Sequence, residues 1–242
     1  MNAIKIEGLT KRYRDILAVD NLSLCIKEGE LFSLLGVNGA GKTTTIKMLS
    51  CLTEPTEGDA LLLGKSICRE SGEVKSLIAV SPQETAVAAG LSVRENLELM
   101  CGVHGFDKDR SKAKIEELTE LLGLTSVIKR KAGKLSGGWQ RRLSIAMALI
   151  SEPKILFLDE PTLGLDVIAR SDLWDMIRSL KGKITIILTT HYMEEAEALS
   201  DRIAIMKDGA LLICDTAQKI KEVAGVDSFE QAFVRIVKGE QK

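Results

Sequence analysis

The chain has 242 residues, 45% of them hydrophobic, and a formal net charge of −1 at pH 7. This is enough for a sizeable core, built as one large domain or as a core with an inserted lobe, and the near-neutral charge argues against a nucleic-acid-binding surface, whose footprint is basic. Apolar runs such as Ile155–Leu158 fall far short of the ~20 residues of a membrane span, and Met1–Lys5 lacks the apolar centre of a signal peptide, so a cytosolic chain is expected.

Ile4 and Ile6 alternate with polar neighbours, which predicts a strand from Ile4 to Tyr13. Leu22, Leu24 and Ile26 alternate in a second strand, closed by Glu28-Gly29. Leu31-Phe32-Ser33-Leu34-Leu35 is continuously apolar at its ends and reads as a central strand. The glycine-rich stretch Gly36-Val37-Asn38-Gly39-Ala40-Gly41-Lys42-Thr43-Thr44 follows, and a helix runs on through Ser50. Pro55–Gly58 reads as a turn before a strand through Leu61–Leu63. Leu77–Val80 is a short buried strand that runs into Ser81-Pro82-Gln83-Glu84.

From Ser92 to Gly123 the pattern turns helical. Val93, Leu97, Met100 and Cys101 fall three and four apart, as do Ile115, Leu118 and Leu122. Ser92 with Glu95 forms a capping box. Residues of about 85–152 therefore read as a helical lobe, inserted into a core made of about 1–84 and 153–225. Lys129-Arg130-Lys131 is too short for a charge patch and reads as solvated surface. Leu135-Ser136-Gly137-Gly138-Trp139-Gln140 opens a helix over Arg141–Ile150, with Ser136 as its cap. After Pro153 the chain alternates: strand Ile155–Leu158, helix Ile168–Leu180, strand Ile184–Leu188, helix Met193–Leu199, then strands near Ile203–Met206 and Leu211–Ile213. Such alternation implies an α/β fold with a mainly parallel sheet covered on both sides. Glu194, Glu195 and Glu197 read as a solvated helix face. The tail, 226–242, carries Phe229, Phe233, Ile236 and Val237 at helical spacing and is expected to pack back on the core, with no added regulatory domain. The five cysteines are widely scattered and read as buried, reduced thiols.

The chemistry lies in three stretches. Strand, glycine-rich loop and helix around Gly36–Thr44 make a phosphate cradle: the backbone wraps an anion, and the helix N-terminus adds its dipole. Lys42 reaches the outer phosphates as a point charge, and the Thr43 hydroxyl suits Mg²⁺, which prefers hard oxygens. Asp159 and Glu160 end a buried strand, where ligands of parallel sheets gather. Asp159 is placed to hold Mg²⁺ opposite Lys42 and Thr43, and Glu160 to take a proton from an attacking water. Ser136-Gly137-Gly138 forms a second anion-binding helix start. Since one loop already serves the chain's own nucleotide, two copies facing each other are implied, each completing the other's site.

With these residues in view, the chain resembles the nucleotide-binding subunit of an ATP-binding cassette (ABC) transporter over nearly its whole length. The resemblance implies a phosphate-loop NTPase core, an N-terminal antiparallel β subdomain and an inserted α-helical subdomain. It also implies a head-to-tail dimer, homomeric by expectation, with two ATP molecules sandwiched between loop and serine-glycine-glycine signature. Tyr13 matches the aromatic that stacks on adenine, and Gly36 to Thr44 (Val37, Asn38, Gly39, Ala40 and Gly41 included) match the phosphate cradle. Gln83 matches the glutamine that touches Mg²⁺ and the attacking water. Ser136, Gly137 and Gly138 match the grip on the opposite subunit's γ-phosphate, Asp159 and Glu160 the metal and base positions, and His191 the γ-phosphate contact. Asp166 matches the loop between the two sites; read alone, it caps the helix that follows.

Trp139 departs from the polar residue more often seen there and leaves the cradle intact. Ser81-Pro82-Gln83, Gly36–Gly39 and His191–Glu197 resemble the subgroup that serves export permeases for drugs, antibiotics or lipid-linked molecules. An integral membrane permease is then the partner, and the chain sits peripherally on the inner face of the cell membrane. A soluble cassette ATPase acting on ribosomes or DNA is the main rival reading. It is disfavoured by the single cassette, the lack of coiled-coil or zinc inserts and the neutral charge. An ATP-dependent switch without turnover is the other, and Asp159, Glu160 and His191 weigh against it.

Overall fold

The computed structural model describes residues 1–239; the last three positions of the expected tail, 240–242, lie outside them. Two sheets organise the chain. The first is antiparallel, in the order β2-β1-β4-β5, from β1 (Asn2–Tyr13), β2 (Ile16–Lys27), β4 (Glu57–Leu62) and β5 (Lys65–Ser66). Alternation puts Ile4, Ile6, Ala60 and Leu62 on its inner face, and a register shift between Ile6 and Leu9 brings Leu9 and its partner Leu22 to the same face, in one core with Phe32, Ile46, Phe157 and Ile187.

The second sheet has the order β10-β9-β3-β8-β7-β6. Its strands are β3 (Leu31–Leu35), β6 (Ile78–Ser81), β7 (Ile155–Asp159), β8 (Thr185–Thr190), β9 (Arg202–Lys207) and β10 (Ala210–Asp215). All pairs are parallel except β9 with β10. β3, β7 and β8 are buried along their whole length, as central parallel strands covered on both faces must be. Register aligns the strand ends: Leu35 pairs with Thr190, Asp159 with Thr189, and Ser81 with Leu158. The residues just beyond these ends, Gly36, Glu160, His191 and Pro82-Gln83, therefore emerge along one edge of the sheet.

One face of the sheet carries α1 (Lys42–Leu49), beneath the antiparallel sheet. The other face packs against α3 (Val93–Val103), α4 (Lys108–Leu121), α5 (Gly137–Leu149) and α6 (Val167–Leu180). The Ser92–Glu95 capping box is formed in both directions. A third cluster joins α7 (Met193–Leu199), α8 (Ala217–Ala224) and α9 (Phe229–Lys238), through Ile220, Phe229, Phe233 and Ile236, to Ile203 and Ile205. Among the described residues, no helix is long and apolar enough to cross a membrane.

Three elements were not legible in sequence: α2 (Ser71–Leu77), α8 and the two-residue β5. α2 is seven residues long and buries only Val74, while the stripe of α8, Ala217, Ile220 and Ala224, spans barely two turns and is mostly alanine. Leu77 closes α2 instead of opening the strand. All five cysteines are free, but only Cys101 is buried and Cys68 is exposed, which corrects the reading of five buried thiols.

Candidate active site

The loop between β3 and α1 owes its shape to glycine. Gly41 has φ 99°, and a Cβ there would sit 2.5 Å from the Ala18 carbonyl oxygen, so no other residue fits. Lys42 follows as the first residue of α1 and is only 6% exposed. Its ammonium donates to the carbonyl oxygens of Gly36 (2.7 Å) and Val37 (3.2 Å) and stands 3.6 Å from the Glu160 carboxylate. Burial lowers its pKa, while the charges of Glu160 and Asp159 oppose that shift. A cation held by its own loop's carbonyls is one that an incoming phosphate can engage.

The two acids at the end of β7 are fastened by β8. Thr189 donates its hydroxyl to Asp159 Oδ1 at 2.5 Å, and the same oxygen lies 3.2 Å from the Thr43 hydroxyl. The Glu160 backbone N–H donates to the Thr189 carbonyl (3.1 Å) and hydroxyl (3.0 Å). Glu160 itself takes φ 49°, in the left-handed region. That turn sends its carboxylate sideways: Oε2 lies 2.6 Å from His191 Nδ1 and Oε1 faces Lys42. Thr189 thus fastens both acids, and the sequence shows it only two positions before His191.

Thr43 Oγ1 and Asp159 Oδ1 form a hydroxyl–carboxylate pair of hard oxygens. Among the described residues, no group of three or more His, Cys, Asp or Glu side chains gathers to cage a metal. The donor set fits Mg²⁺, which takes one or two protein oxygens and fills its remaining positions with phosphate and water.

A cleft of about 670 Å³ gathers Asn38–Thr44, Gln83, Glu160 and His191. Ile16, Leu17, Ala18, Leu163 and Asp208 complete its walls and were not foreseen. The sole signal for them is Asp208-Gly209, a turn dipeptide between β9 and β10 that folds back on the loop: Gly209 donates its N–H to the Ala40 carbonyl at 3.3 Å. Tyr13 does not line the cleft. It is 42% exposed at the β1–β2 turn, with the Lys11 ammonium 5.1 Å from its ring, and pairs with Ile16, which does line it.

Ser136, Gly137, Gly138 and Asp166 lie elsewhere. Ser136 and Gly138 border a separate shallow depression with Trp139 and Ala169. A Cβ at Gly137 would meet Leu165 at 3.3 Å, and one at Gly138 would meet Ala169 at 3.1 Å. The glycines thus let α5 begin directly against the start of α6. Asp166 caps α6, accepting from the Ala169 N–H at 2.9 Å. Ser136 precedes α5, but its hydroxyl makes no capping bond.

Glu195 corrects the reading of a solvated acidic face: it is 0% exposed. The Trp174 indole N–H donates to its Oε1 at 3.0 Å, while its Oε2 and the Thr162 hydroxyl are buried without a hydrogen-bond partner. Burial pushes its carboxyl upward; the Trp174 indole opposes this, and the Glu160 charge adds to it. A carboxyl raised in the folded state favours the native protein while protonated. That contribution is complete below the unfolded pKa and is lost as pH rises through the folded one. Glu195→Gln keeps the acceptor for Trp174 and never ionises. Thermal melts should show the variant gaining on wild type from pH 5 to pH 8, by about 2–4 °C for each 1 kcal/mol removed. Equal differences at both pH values would mean that Glu195 stays charged.

Comparison with known proteins gives the family. Residues 19–163 match the ABC transporter family, from β2 through the turn beyond Glu160. The chain is 40% identical over 229 residues to the daunorubicin resistance ATP-binding protein DrrA3 of Streptomyces coeruleorubidus, spanning 94% of this chain and 72% of that one. It is 40% identical over 239 residues to the doxorubicin resistance ATP-binding protein DrrA of Mycobacterium tuberculosis, spanning 98% of this chain and 72% of that one. A solved ATP-binding subunit of an ABC transporter superposes with a TM-score of 0.84 at 25% identity, covering 97% of this chain and 99% of the other. The family match takes in more than half of the sequence, including the phosphate loop, Asp159 and Glu160; the chain belongs to the ABC transporter family.

Proposed function

We propose that this ATPase works as one of two identical subunits that close head to tail over ATP and drive a separate integral membrane permease, exporting a drug-like or lipid-linked molecule. Residues 1–242 act as a single ATPase domain that includes the helical lobe of about 85–152. The chain sits on the cytoplasmic face of the membrane, held there by its permease. The export reading is supported by the relatives named for daunorubicin and doxorubicin resistance.

The observation that carries the dimer is the division of the anion-binding parts. Lys42, Thr43, Gln83, Glu160 and His191 share one cleft, while Ser136 and Gly138 border another surface of the same chain. In the closed pair, the phosphate loop grips the triphosphate, Ser136, Gly137 and Gly138 of the opposite copy meet its γ-phosphate, and Tyr13 stacks beside adenine. Thr43, Asp159 and Gln83 hold Mg²⁺, which when bound spreads the developing charge of the phosphoryl group. Glu160 accepts the proton of the attacking water. Its carboxylate is aimed by His191, whose Nδ1–H donates across 2.6 Å while Glu160 is ionised. Asp166, at the start of α6 beside the signature glycines, reports between the two sites.

Specific ATPase activity should therefore rise with protein concentration until dimers saturate. Constant activity per subunit across a dilution series, in a protein shown to be monomeric by light scattering, overturns the shared site. Co-purification of a multispanning membrane protein from detergent extracts tests the permease.

A further inference from the structure

The segment that bears Gln83 has no ladder or helix to hold it. β6 ends at Ser81 and α3 begins at Val93. Among the described residues, no backbone N–H donates to the carbonyls of Pro82 or Gln83. Both carbonyls find their donor in one side chain instead. Arg141, in the second turn of α5, donates from Nη1 to the Pro82 oxygen at 2.6 Å and from Nη2 to the Gln83 oxygen at 2.5 Å. Three residues on, and so on the same face of α5, the Ser144 hydroxyl meets the Ser81 hydroxyl at 3.0 Å. Two side chains of one helix therefore fasten the end of β6 and the loop behind it.

Arg141 is 4% exposed. Among the described residues, no carboxylate lies within 4.0 Å of its guanidinium; the sixteen ion pairs all involve other residues. A buried cation without a carboxylate partner is costly. Burial depresses its pKa, and the more distant charges of Asp159 and Glu195 offset this. The fork geometry of a guanidinium is what lets a single residue hold two successive carbonyls.

We infer that Arg141 is a positioning residue for catalysis: by clamping the carbonyls of Pro82 and Gln83 to α5, it fixes where the Gln83 side chain enters the cleft. The inference rests on the reading of Gln83 as a ligand of Mg²⁺ and the attacking water. It adds that the glutamine's placement is set by the helix that begins at Ser136-Gly137-Gly138. When the partner's nucleotide engages that helix start, the clamp carries any movement of α5 to Gln83 directly. The motion and the chemistry are then tied through one side chain.

The test is a double-mutant cycle on the full-length chain, reading steady-state ATP hydrolysis, its Mg²⁺ dependence and ATP binding in the absence of Mg²⁺. Arg141→Met should lower kcat about 10- to 100-fold, the cost of misplacing a positioned group. It should also raise the Mg²⁺ concentration at half-maximal rate and leave Mg²⁺-free ATP binding within about twofold, since uniform binding is untouched. Gln83→Ala should lower kcat comparably, and Arg141→Met on top of it should cost nothing more. Arg141→Lys, which keeps the charge and a single donor head, should recover part of the rate. It also carries the same cycle if the methionine variant does not fold. Losses that multiply in the double variant overturn the clamp while leaving Gln83 in its role. Wild-type turnover in Gln83→Ala overturns the role of Gln83 and the clamp with it. Wild-type turnover in a folded Arg141→Met overturns the clamp alone.

Discussion

Glu160→Gln is expected to bind ATP as tightly as wild type while turnover falls by about 10²- to 10⁴-fold, the range for loss of a general base. The amide matches the carboxylate in size and keeps the contact to His191, which lies 2.6 Å away. It also removes the negative charge 3.6 Å from the Lys42 ammonium, so the lysine is freer to meet phosphate. Binding is then preserved or strengthened, and the closed dimer should accumulate as a species of twice the mass on size exclusion with ATP and Mg²⁺. Turnover at the wild-type rate would remove Glu160 from the chemistry. A turnover defect with weakened ATP binding would mean that its part is structural.

The second large effect concerns the shared site. Lys42→Ala and Ser136→Arg should each be nearly inactive alone, and mixing the two purified chains should restore hydrolysis. Lys42 is buried in the loop, and its loss removes the cation that faces the phosphates. Ser136 is exposed and makes no capping bond, so arginine there leaves the fold intact and obstructs only an approaching partner. In a head-to-tail pair with one copy of each variant, both lesions fall in one site and the other site is whole. Random mixing then yields roughly a quarter of the wild-type sites, as expected for a twofold assembly. The measurement is hydrolysis rate against mixing ratio, which should peak near equal amounts. A flat, inactive profile counts against head-to-tail pairing. Full activity of Ser136→Arg alone shows that each chain has a complete site.

Much of this architecture is legible in residues that chemistry constrains tightly. The glycines of Gly36–Gly41, the apolar strands before them and before Asp159, and the acids themselves allow few alternatives, and the sheet register brings those strand ends to one edge. What escaped reading depends on which face meets which neighbour. Glu194, Glu195 and Glu197 are chemically alike in sequence, and only the packing of α7 against Trp174 decides that the middle one is buried. Arg141 and Arg142 are adjacent and identical in type. One turns inward to the Pro82 and Gln83 carbonyls, and the other lies 3.4 Å from Asp172 at the surface. A period of 3.6 residues separates their directions by about 100°, but the sequence does not say which direction faces the loop. Cleft walls from Ile16–Ala18, at the start of β2, and from the Asp208 turn carry no residue type that marks a ligand site.

The left-handed backbone at Glu160, with φ 49°, bears on how such a site persists. A branched or long side chain in that region costs of order 1–3 kcal/mol, and glycine relieves it. Glycine at 160 would relieve that cost but leave the Lys42 ammonium, 6% exposed, without the carboxylate 3.6 Å from it, and stranding a buried cation opposes the gain. The charge that the acid faces thus helps to hold an unfavourable backbone in place.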